Sequence, residues 1–126
     1  MVKKGKVVIV DDDTDLLSIL KYSFESKGYS VVELTTGKSA LEYVLDQKNM
    51  EDVSLLVLDR MLPDMEGMDI LDKVKKECPK QPPVLILSAL KADKDVVQGL
   101  KKGAVDYIGK PFNQEIFMQK AMKLIG

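Results

Sequence analysis

The sequence contains no histidine, and this absence restricts the chemistry that the chain can perform. Histidine is the usual general base near neutral pH and a frequent zinc ligand, and it is the carrier in phosphohistidine. A functional site must therefore use carboxylates, hydroxyls and lysine. The single cysteine, Cys78, excludes an internal disulfide and suits a reducing compartment. We interpret it as an inert thiol near the end of a helix.

The chain also lacks long apolar runs and an excess of either charge. No run approaches the roughly 18 residues that a membrane span requires. The N-terminal apolar run is shorter than the roughly 7–15 residues of a signal peptide, and it ends in acids. The 19 basic and 20 acidic residues nearly cancel, so no global field favours nucleic acid or an anionic membrane. We therefore expect a cytoplasmic protein without membrane attachment or direct nucleic-acid binding.

The length and composition indicate one globular domain. A chain of 126 residues with 45% apolar and 31% charged residues is long enough for one core but too short for two. No repeat, low-complexity tract or linker interrupts it. The predicted domain is residues 1–126.

Five apolar runs alternate with five helical patterns. The predicted strands are Lys6–Val10, Ser30–Leu34, Val53–Leu58, Pro83–Ser88 and Ala104–Ile108. The predicted helices begin near Thr14, Gly37, Gly67, Ala92 and Asn113, and they end near Gly28, Gln47, Glu77, Lys102 and Ile125. Strands separated by helices run parallel through right-handed crossovers. The sequence predicts an α/β fold, a doubly wound five-stranded parallel sheet with five helices on its two faces.

One aspartate follows the most apolar of these strands. Residues 55–58 are consecutive apolar residues, typical of a strand buried on both faces, and Asp59 comes next, ahead of Pro63 and Gly67. In open parallel sheets, ligands bind at the carboxyl edge of the strands. Asp59 is therefore a candidate for chemistry, although an aspartate here can also simply cap a loop.

Further polar residues follow other strands at the same predicted edge. Asp11 and Asp12 follow the first strand, Ser88 ends the fourth, and Lys110 follows the fifth. Taken singly, the acids suit a helix N-terminus, Ser88 suits a loop cap, and Lys110 suits a solvated surface. Their convergence favours a site over these separate interpretations.

The predicted acidic cluster requires a cation. Carboxylates about 4 Å apart repel by about 4 kcal/mol per pair at an effective dielectric of about 20. Hard oxygen ligands suit Mg²⁺, which takes one or two carboxylates and completes its shell with water and phosphate. Beside such an ion, Asp59 can act as a nucleophile toward phosphorus. Ser88 and Lys110 can then bind phosphoryl oxygens.

The whole chain resembles the response-regulator receiver domains, which accept phosphoryl groups in two-component signalling and phosphorelays. The matching stretches cover every predicted strand end except the second and lie at residues 7–12, 56–67, 84–89 and 103–112. The resemblance implies a flavodoxin-like sheet with strand order 2-1-3-4-5.

The resemblance also implies a role for each matching residue. Asp59 would be the phosphoacceptor and a Mg²⁺ ligand. Asp12 would bind the metal directly, Asp11 would hold a metal-bound water, and the backbone carbonyl of Met61 would be a further ligand. Ser88 and Lys110 would bind the phosphoryl group.

Tyr107 matches the aromatic switch of the family, which turns inward as the hydroxyl residue, here Ser88, moves to the phosphate. From the residues alone, a half-buried tyrosine with its hydroxyl in water is favoured. Arg60, Met61 and Leu90 match positions that bear on the access of water to the acyl phosphate. Because Met61 and Leu90 cannot orient a water, we predict slow self-dephosphorylation.

The resemblance implies a signalling switch rather than an enzyme with an external substrate. A sensor histidine kinase or a histidine phosphotransfer protein would supply the phosphoryl group. Phosphorylation would change the face formed by the fourth predicted helix, the fifth strand and the fifth helix. The output would be a downstream effector protein or a C-terminal output domain outside this sequence, and a phosphorylation-dependent homodimer is left open.

Two other classes of protein fit less well. A Mg²⁺-dependent phosphohydrolase of the haloacid-dehalogenase type has a second acid two residues after its nucleophile, where this chain has Met61. A flavodoxin-like cofactor binder would need glycines and free amides after the first strand, where this chain has three aspartates.

Overall fold

The computed structural model describes residues 4–126 as five strands and six helices. The strands are β1 (Lys6–Val10), β2 (Ser30–Leu34), β3 (Val53–Leu58), β4 (Val84–Ser88) and β5 (Asp106–Gly109). The helices are α1 (Thr14–Ser26), α2 (Gly37–Leu45), α3 (Gln47–Met50), α4 (Gly67–Glu77), α5 (Asp93–Lys101) and α6 (Gln114–Ile125). All strands pair in parallel in the order β2-β1-β3-β4-β5. The predicted fold class and strand order are confirmed.

The helix count was wrong by one, because the second predicted helix ends at Leu45 and a further short helix, which was not predicted, follows after Asp46. This residue is extended, with φ −89° and ψ 110°, and its side chain accepts a hydrogen bond from the Lys48 N–H. That bond caps the separate short helix α3, so the fourth and fifth predicted helices are α5 and α6. The fifth strand also begins later than predicted, since the Ala104 N–H bonds back to the carbonyl of Gly99 and extends the end of α5.

Two apolar clusters lie on opposite faces of the sheet because successive strand residues point to opposite sides. Val8 and Leu56 point to the face covered by α2 and α4. Val7 and Leu55 point to the face covered by α1 and α6. All four are fully buried. The apolar runs of β1, β3 and β4 in the sequence reflect this burial on both faces.

Side-chain caps fix the starts of α1 and α6. Asp13 caps α1 by accepting a hydrogen bond from the Leu16 N–H at 3.1 Å. Asn113 caps α6 as predicted, through the Ile116 N–H at 3.0 Å. Asp13 therefore serves as a helix cap, unlike Asp11 and Asp12, which are the acids of the predicted site.

Between residues 4 and 126, no helix combines the length and the apolar character that crossing a bilayer would take.

Candidate functional site

Asp11 and Asp59 lie side by side at the carboxyl edge of the sheet. Val10 pairs with Leu58 in the β1–β3 register, and the Asp59 N–H donates to the Val10 carbonyl at 3.0 Å. On the other side, the Asp11 N–H donates to the Leu34 carbonyl at 3.0 Å. The two aspartates are only 2% and 5% exposed. Strand pairing therefore fixes two buried carboxylates next to each other.

Asp12 completes a cluster of three carboxylates. One oxygen from each of Asp11, Asp12 and Asp59 lies within 4.8 Å of the others, and Asp12 is exposed to solvent. Three anionic oxygens at this separation repel one another unless a cation lies between them. Their hard oxygen chemistry and the open side at Asp12 fit a divalent ion such as Mg²⁺, which keeps several waters.

Lys110 compensates part of this negative charge. Its Nζ lies 2.7 Å from Oδ2 of Asp11 and 3.1 Å from Oδ2 of Asp59, and its side chain is 22% exposed. Burial alone would lower the pKa of Lys110, but the hydrogen bonds to Asp11 and Asp59 and their charges outweigh it, so the pKa is raised. Burial raises the pKa of Asp11, although hydrogen bonds from Lys110 and the Asp13 N–H act in the opposite direction. The ammonium group is thus held against both acids.

Ser88 joins this group through the β4–β5 register. Ser88 is fully buried and pairs with Gly109, and its carbonyl accepts the Lys110 N–H at 2.8 Å. Its hydroxyl oxygen accepts the Leu90 N–H at 3.2 Å. The predicted residues Asp11, Asp12, Asp59, Ser88 and Lys110 therefore lie at one edge of the sheet.

Tyr107 is buried, and its hydroxyl donates to the Leu90 carbonyl. The interpretation from the residues alone, with this hydroxyl in water, was wrong because the carbonyl of Leu90, in the loop after β4, supplies an acceptor. Leu90 therefore bonds through its N–H to Ser88 and through its carbonyl to Tyr107. One residue of the β4–α5 loop connects the two predicted switch side chains.

Arg60 has contacts that the sequence did not reveal. Its side chain is 4% exposed, and its guanidinium donates to Glu66, to the carbonyl of Asp95 and to Gln98, at 3.1, 3.1 and 2.7 Å. Arg60 thereby links the loop after Asp59 to α5. The available signal was an arginine next to a buried strand, where a charged side chain needs specific partners. Its partners lie up to 38 residues away.

The loop between β3 and α4 places Met61 next to the acidic cluster. The Met61 N–H donates to Oδ1 of Asp59 at 3.0 Å, while the Met61 side chain is exposed.

At the other end of α4, Cys78 is buried and its Sγ contacts the Val44 carbonyl at 3.3 Å. Burial, with a smaller contribution from the charge of Glu77, raises the pKa of the Cys78 thiol and favours its unreactive form.

Comparison with known proteins identifies related sequences over nearly the whole chain. A family model described as the response regulator receiver domain matches residues 7–122. The transcriptional regulatory protein CpxR of Escherichia coli strain K12 is 39% identical over 109 residues, which are 86% of this chain and 44% of CpxR. The chain therefore spans less than half the length of this relative.

Solved structures share the fold as well as the sequence pattern. A CheY-like response regulator receiver domain protein from Methanospirillum hungatei JF-1 has a TM-score of 0.84 and 30% identity, covering 96% of this chain and 93% of that one. The response regulator DrrB, described as an OmpR/PhoB homolog from Thermotoga maritima, has a TM-score of 0.81 and 32% identity. That match covers 96% of this chain and 52% of DrrB.

Proposed function

The chain belongs to the response regulator receiver domain family, and from this premise we propose which residues make it a phosphorylation-activated switch. Receiver domains work as such switches in two-component signalling. Asp59 is the proposed phosphoacceptor. The observation that carries this assignment is the convergence of the Asp11, Asp12 and Asp59 oxygens within 4.8 Å, with Lys110 bonded to two of them.

The proposed reaction transfers a phosphoryl group from a phosphohistidine to Asp59. A carboxylate oxygen of Asp59 attacks phosphorus, the P–N bond breaks, and the imidazole leaves while an acyl phosphate forms. The donor is a sensor histidine kinase or a histidine phosphotransfer protein, because this chain has no histidine. Lys110, already bonded to Asp59, and the hydroxyl of Ser88 then bind phosphoryl oxygens.

We assign Mg²⁺ to Asp11, Asp12, Asp59 and the backbone carbonyl of Met61, with Asp11 acting through a bound water. When bound, the ion neutralises charge on the incoming phosphoryl group. The three clustered carboxylates and the exposure of Asp12 support this assignment. Lys110 exchanges part of its contact with the acids for contact with the phosphoryl group.

The switch follows from the bonds of Leu90 to Ser88 and Tyr107. Movement of the Ser88 hydroxyl toward a phosphoryl group breaks its bond with the Leu90 N–H, and the loop that receives the Tyr107 hydroxyl is then free to move. The affected face is α5, β5 and α6. Moving a population from mostly one state to mostly the other takes about 5.5 kcal/mol of differential binding. Charge-assisted bonds to Ser88, Lys110 and the metal are of this order in sum.

In this proposal, residues 1–126 form one receiver domain. The domain catalyses only phosphoryl transfer to itself and its own slow dephosphorylation. The exposed Met61 side chain and the apolar Leu90 offer no group that would orient an attacking water. CpxR is named a transcriptional regulatory protein and is longer than this chain. The output is therefore assigned to a further domain or to a separate effector protein, and a phosphorylation-dependent homodimer belongs to the same proposal.

The test is phosphorylation of the chain by acetyl phosphate with Mg²⁺, followed by intact mass. We expect one added phosphoryl group on the wild type and none on Asp59→Asn, because an amide is not a nucleophile toward phosphorus. Asp15→Asn is the matched control, since Asp15 is an exposed acid of α1 outside the cluster. Phosphorylation of Asp59→Asn to the same extent would contradict the assignment.

The same measurement tests the slow loss of the phosphoryl group. After removal of acetyl phosphate, the added mass should persist for minutes or longer. A half-life of seconds, or steady turnover of a phosphomonoester, would contradict the proposal and favour a hydrolase.

A further inference from the structure

We propose that Asp64 is a positioning residue for the metal site, because it fastens the loop that carries Met61 to the first turn of α2. This inference rests on the proposed function, in which the Met61 carbonyl is a metal ligand. The loop spans residues 59–66 and joins β3 to α4. Asp64 lies at its tip and is not one of the three clustered carboxylates.

The carboxylate of Asp64 binds two backbone groups of another element. Its Oδ1 accepts the Gly37 N–H at 2.6 Å, and its Oδ2 accepts the Lys38 N–H at 2.9 Å. These are the first two N–H groups of α2, which have no partner within the helix. The N-terminus of a helix also favours a negative charge. The bonds from Lys38 and Gly37 lower the pKa of Asp64, so the carboxylate is charged at neutral pH.

A second contact at the tip depends on a glycine. A Cβ atom on Gly37 would collide with the Met65 side chain, so Met65 can cover the start of α2 only because residue 37 has no side chain. Met65 packs against the apolar cluster on this face of the sheet. Two adjacent residues of the loop, Asp64 and Met65, thus hold its tip on α2.

The base of the loop is closed independently of its tip. The Gly67 N–H donates to the Arg60 carbonyl at 2.6 Å, and Met61 forms an antiparallel bridge with Glu66. The Met61 N–H donates to Oδ1 of Asp59 at 3.0 Å. Met61 therefore lies between a base fixed to β3 and a tip fixed to α2.

Holding both ends of the loop restricts the orientations of the Met61 carbonyl before a metal binds. A ligand group that is already ordered loses less conformational entropy on binding, so metal affinity rises. Replacing a residue that hydrogen-bonds directly to a metal ligand commonly changes metal affinity by 10–100-fold, and Asp64 acts on Met61 less directly, through the loop. Since Asp64 is exposed and water can partly replace its bonds, we expect an effect at the lower end of this range.

The test measures Mg²⁺ affinity by titration calorimetry and stability by urea unfolding, using the full chain. Asp64→Ala should weaken Mg²⁺ binding about tenfold. Thr36→Ala is the matched control, because the Thr36 hydroxyl caps the same helix by accepting the Ser39 N–H at 3.1 Å and makes no hydrogen bond to the loop. Both variants should lower the urea midpoint, but Thr36→Ala should leave Mg²⁺ affinity unchanged.

Asp64→Asn provides a second variant that keeps one acceptor oxygen, and it should bind Mg²⁺ with an intermediate affinity. Wild-type affinity in both Asp64 variants would overturn the inference, as would an equal loss in Thr36→Ala. A wild-type chain that bound no Mg²⁺ would instead contradict the proposed function itself. The two failures are therefore distinguishable.

Discussion

Lys110 stabilises two buried carboxylates with a single ammonium group. Asp11 is almost fully enclosed, and a buried carboxylate that loses its partner keeps the cost of its desolvation. The same ammonium group pairs with Asp11 and Asp59, two of the residues that we assign to the Mg²⁺ site. Lys110 therefore stabilises the metal-free fold and, at the same time, lowers the affinity for the metal.

We expect Lys110→Met to have opposite effects on these two properties. In metal-free buffer, the free energy of unfolding should fall by about 1–3 kcal/mol, because Asp11 is left without its cation. The Mg²⁺ dissociation constant should fall several-fold, because no ammonium group competes for the acids. Urea unfolding and calorimetry measure the two quantities.

Lys120→Met is the control for the Lys110 variant. Lys120 forms an exposed pair with Asp106, with 3.9 Å between Nζ and Oδ2. Such surface pairs contribute about 0–1 kcal/mol, so this variant should change neither quantity by much. If Lys110→Met behaved like Lys120→Met in both measurements, the role given to Lys110 would be wrong.

At the scale of elements, α5 joins the rest of the molecule through a small apolar contact, in which Val96 packs against the core, and through several polar contacts. Gly99 is its one buried residue, and an added Cβ there would lie 2.9 Å from the Tyr107 ring and 2.8 Å from Ile86. Arg60 holds the middle of α5, and Lys102, just after α5, pairs with Asp72 of α4 at 3.2 Å. An element with so little apolar burial opens at low cost, as a moving part of a switch must.

We expect Arg60→Met to loosen the middle of α5. The variant removes the bonds to the Asp95 carbonyl and to Gln98 while keeping an apolar side chain of similar length. Hydrogen exchange at the Val97 and Gln98 amides should become about tenfold faster, which corresponds to about 1.4 kcal/mol of opening free energy.

Lys102→Met tests whether any ion pair at α5 would have the same effect. It removes the pair with Asp72, in which both side chains are more than one-third exposed. Because such pairs contribute little, exchange at Val97 and Gln98 should stay close to that of the wild type. Equal exchange rates in the Arg60 and Lys102 variants would show that Arg60 has no special role.

For the whole molecule, one sheet separates two apolar clusters, and each cluster depends on the same strands. A perturbation on either face should therefore destabilise the entire chain. Phe117 of α6 is fully buried, and its ring lies 6.2 Å from that of Phe24 and 5.2 Å from that of Phe112. It is a direct probe of the face covered by α1 and α6.

We expect Phe117→Ala to lower the free energy of unfolding by about 3–5 kcal/mol through lost burial and a cavity. Unfolding in urea should remain a single transition, because the two faces share their strands. Ile116→Ala, at an exposed neighbour in the same helix, should cost about 0.5 kcal/mol or less. Two separate transitions in either variant would contradict a single cooperative domain.

The sequence was informative where structure depends on neighbours along the chain. Apolar runs predicted the strands because both faces of a parallel sheet are buried, and β1, β2 and β3 have the predicted bounds. Alternation of strands and helices then implied that Asp11, Asp59, Ser88 and Lys110 would share one edge, and they do. Parallel topology alone makes this edge common to all strands.

Tertiary structure decided the features that depend on contacts between distant residues. The bond of Asp64 to Gly37 spans 27 positions, that of Arg60 to Gln98 spans 38, and that of Tyr107 to Leu90 spans 17. A local pattern shows only that each of these side chains is polar or aromatic. Which acceptor or helix end it meets is set by strand register and by how the loops close over the sheet edge, and these arise only when the whole chain packs.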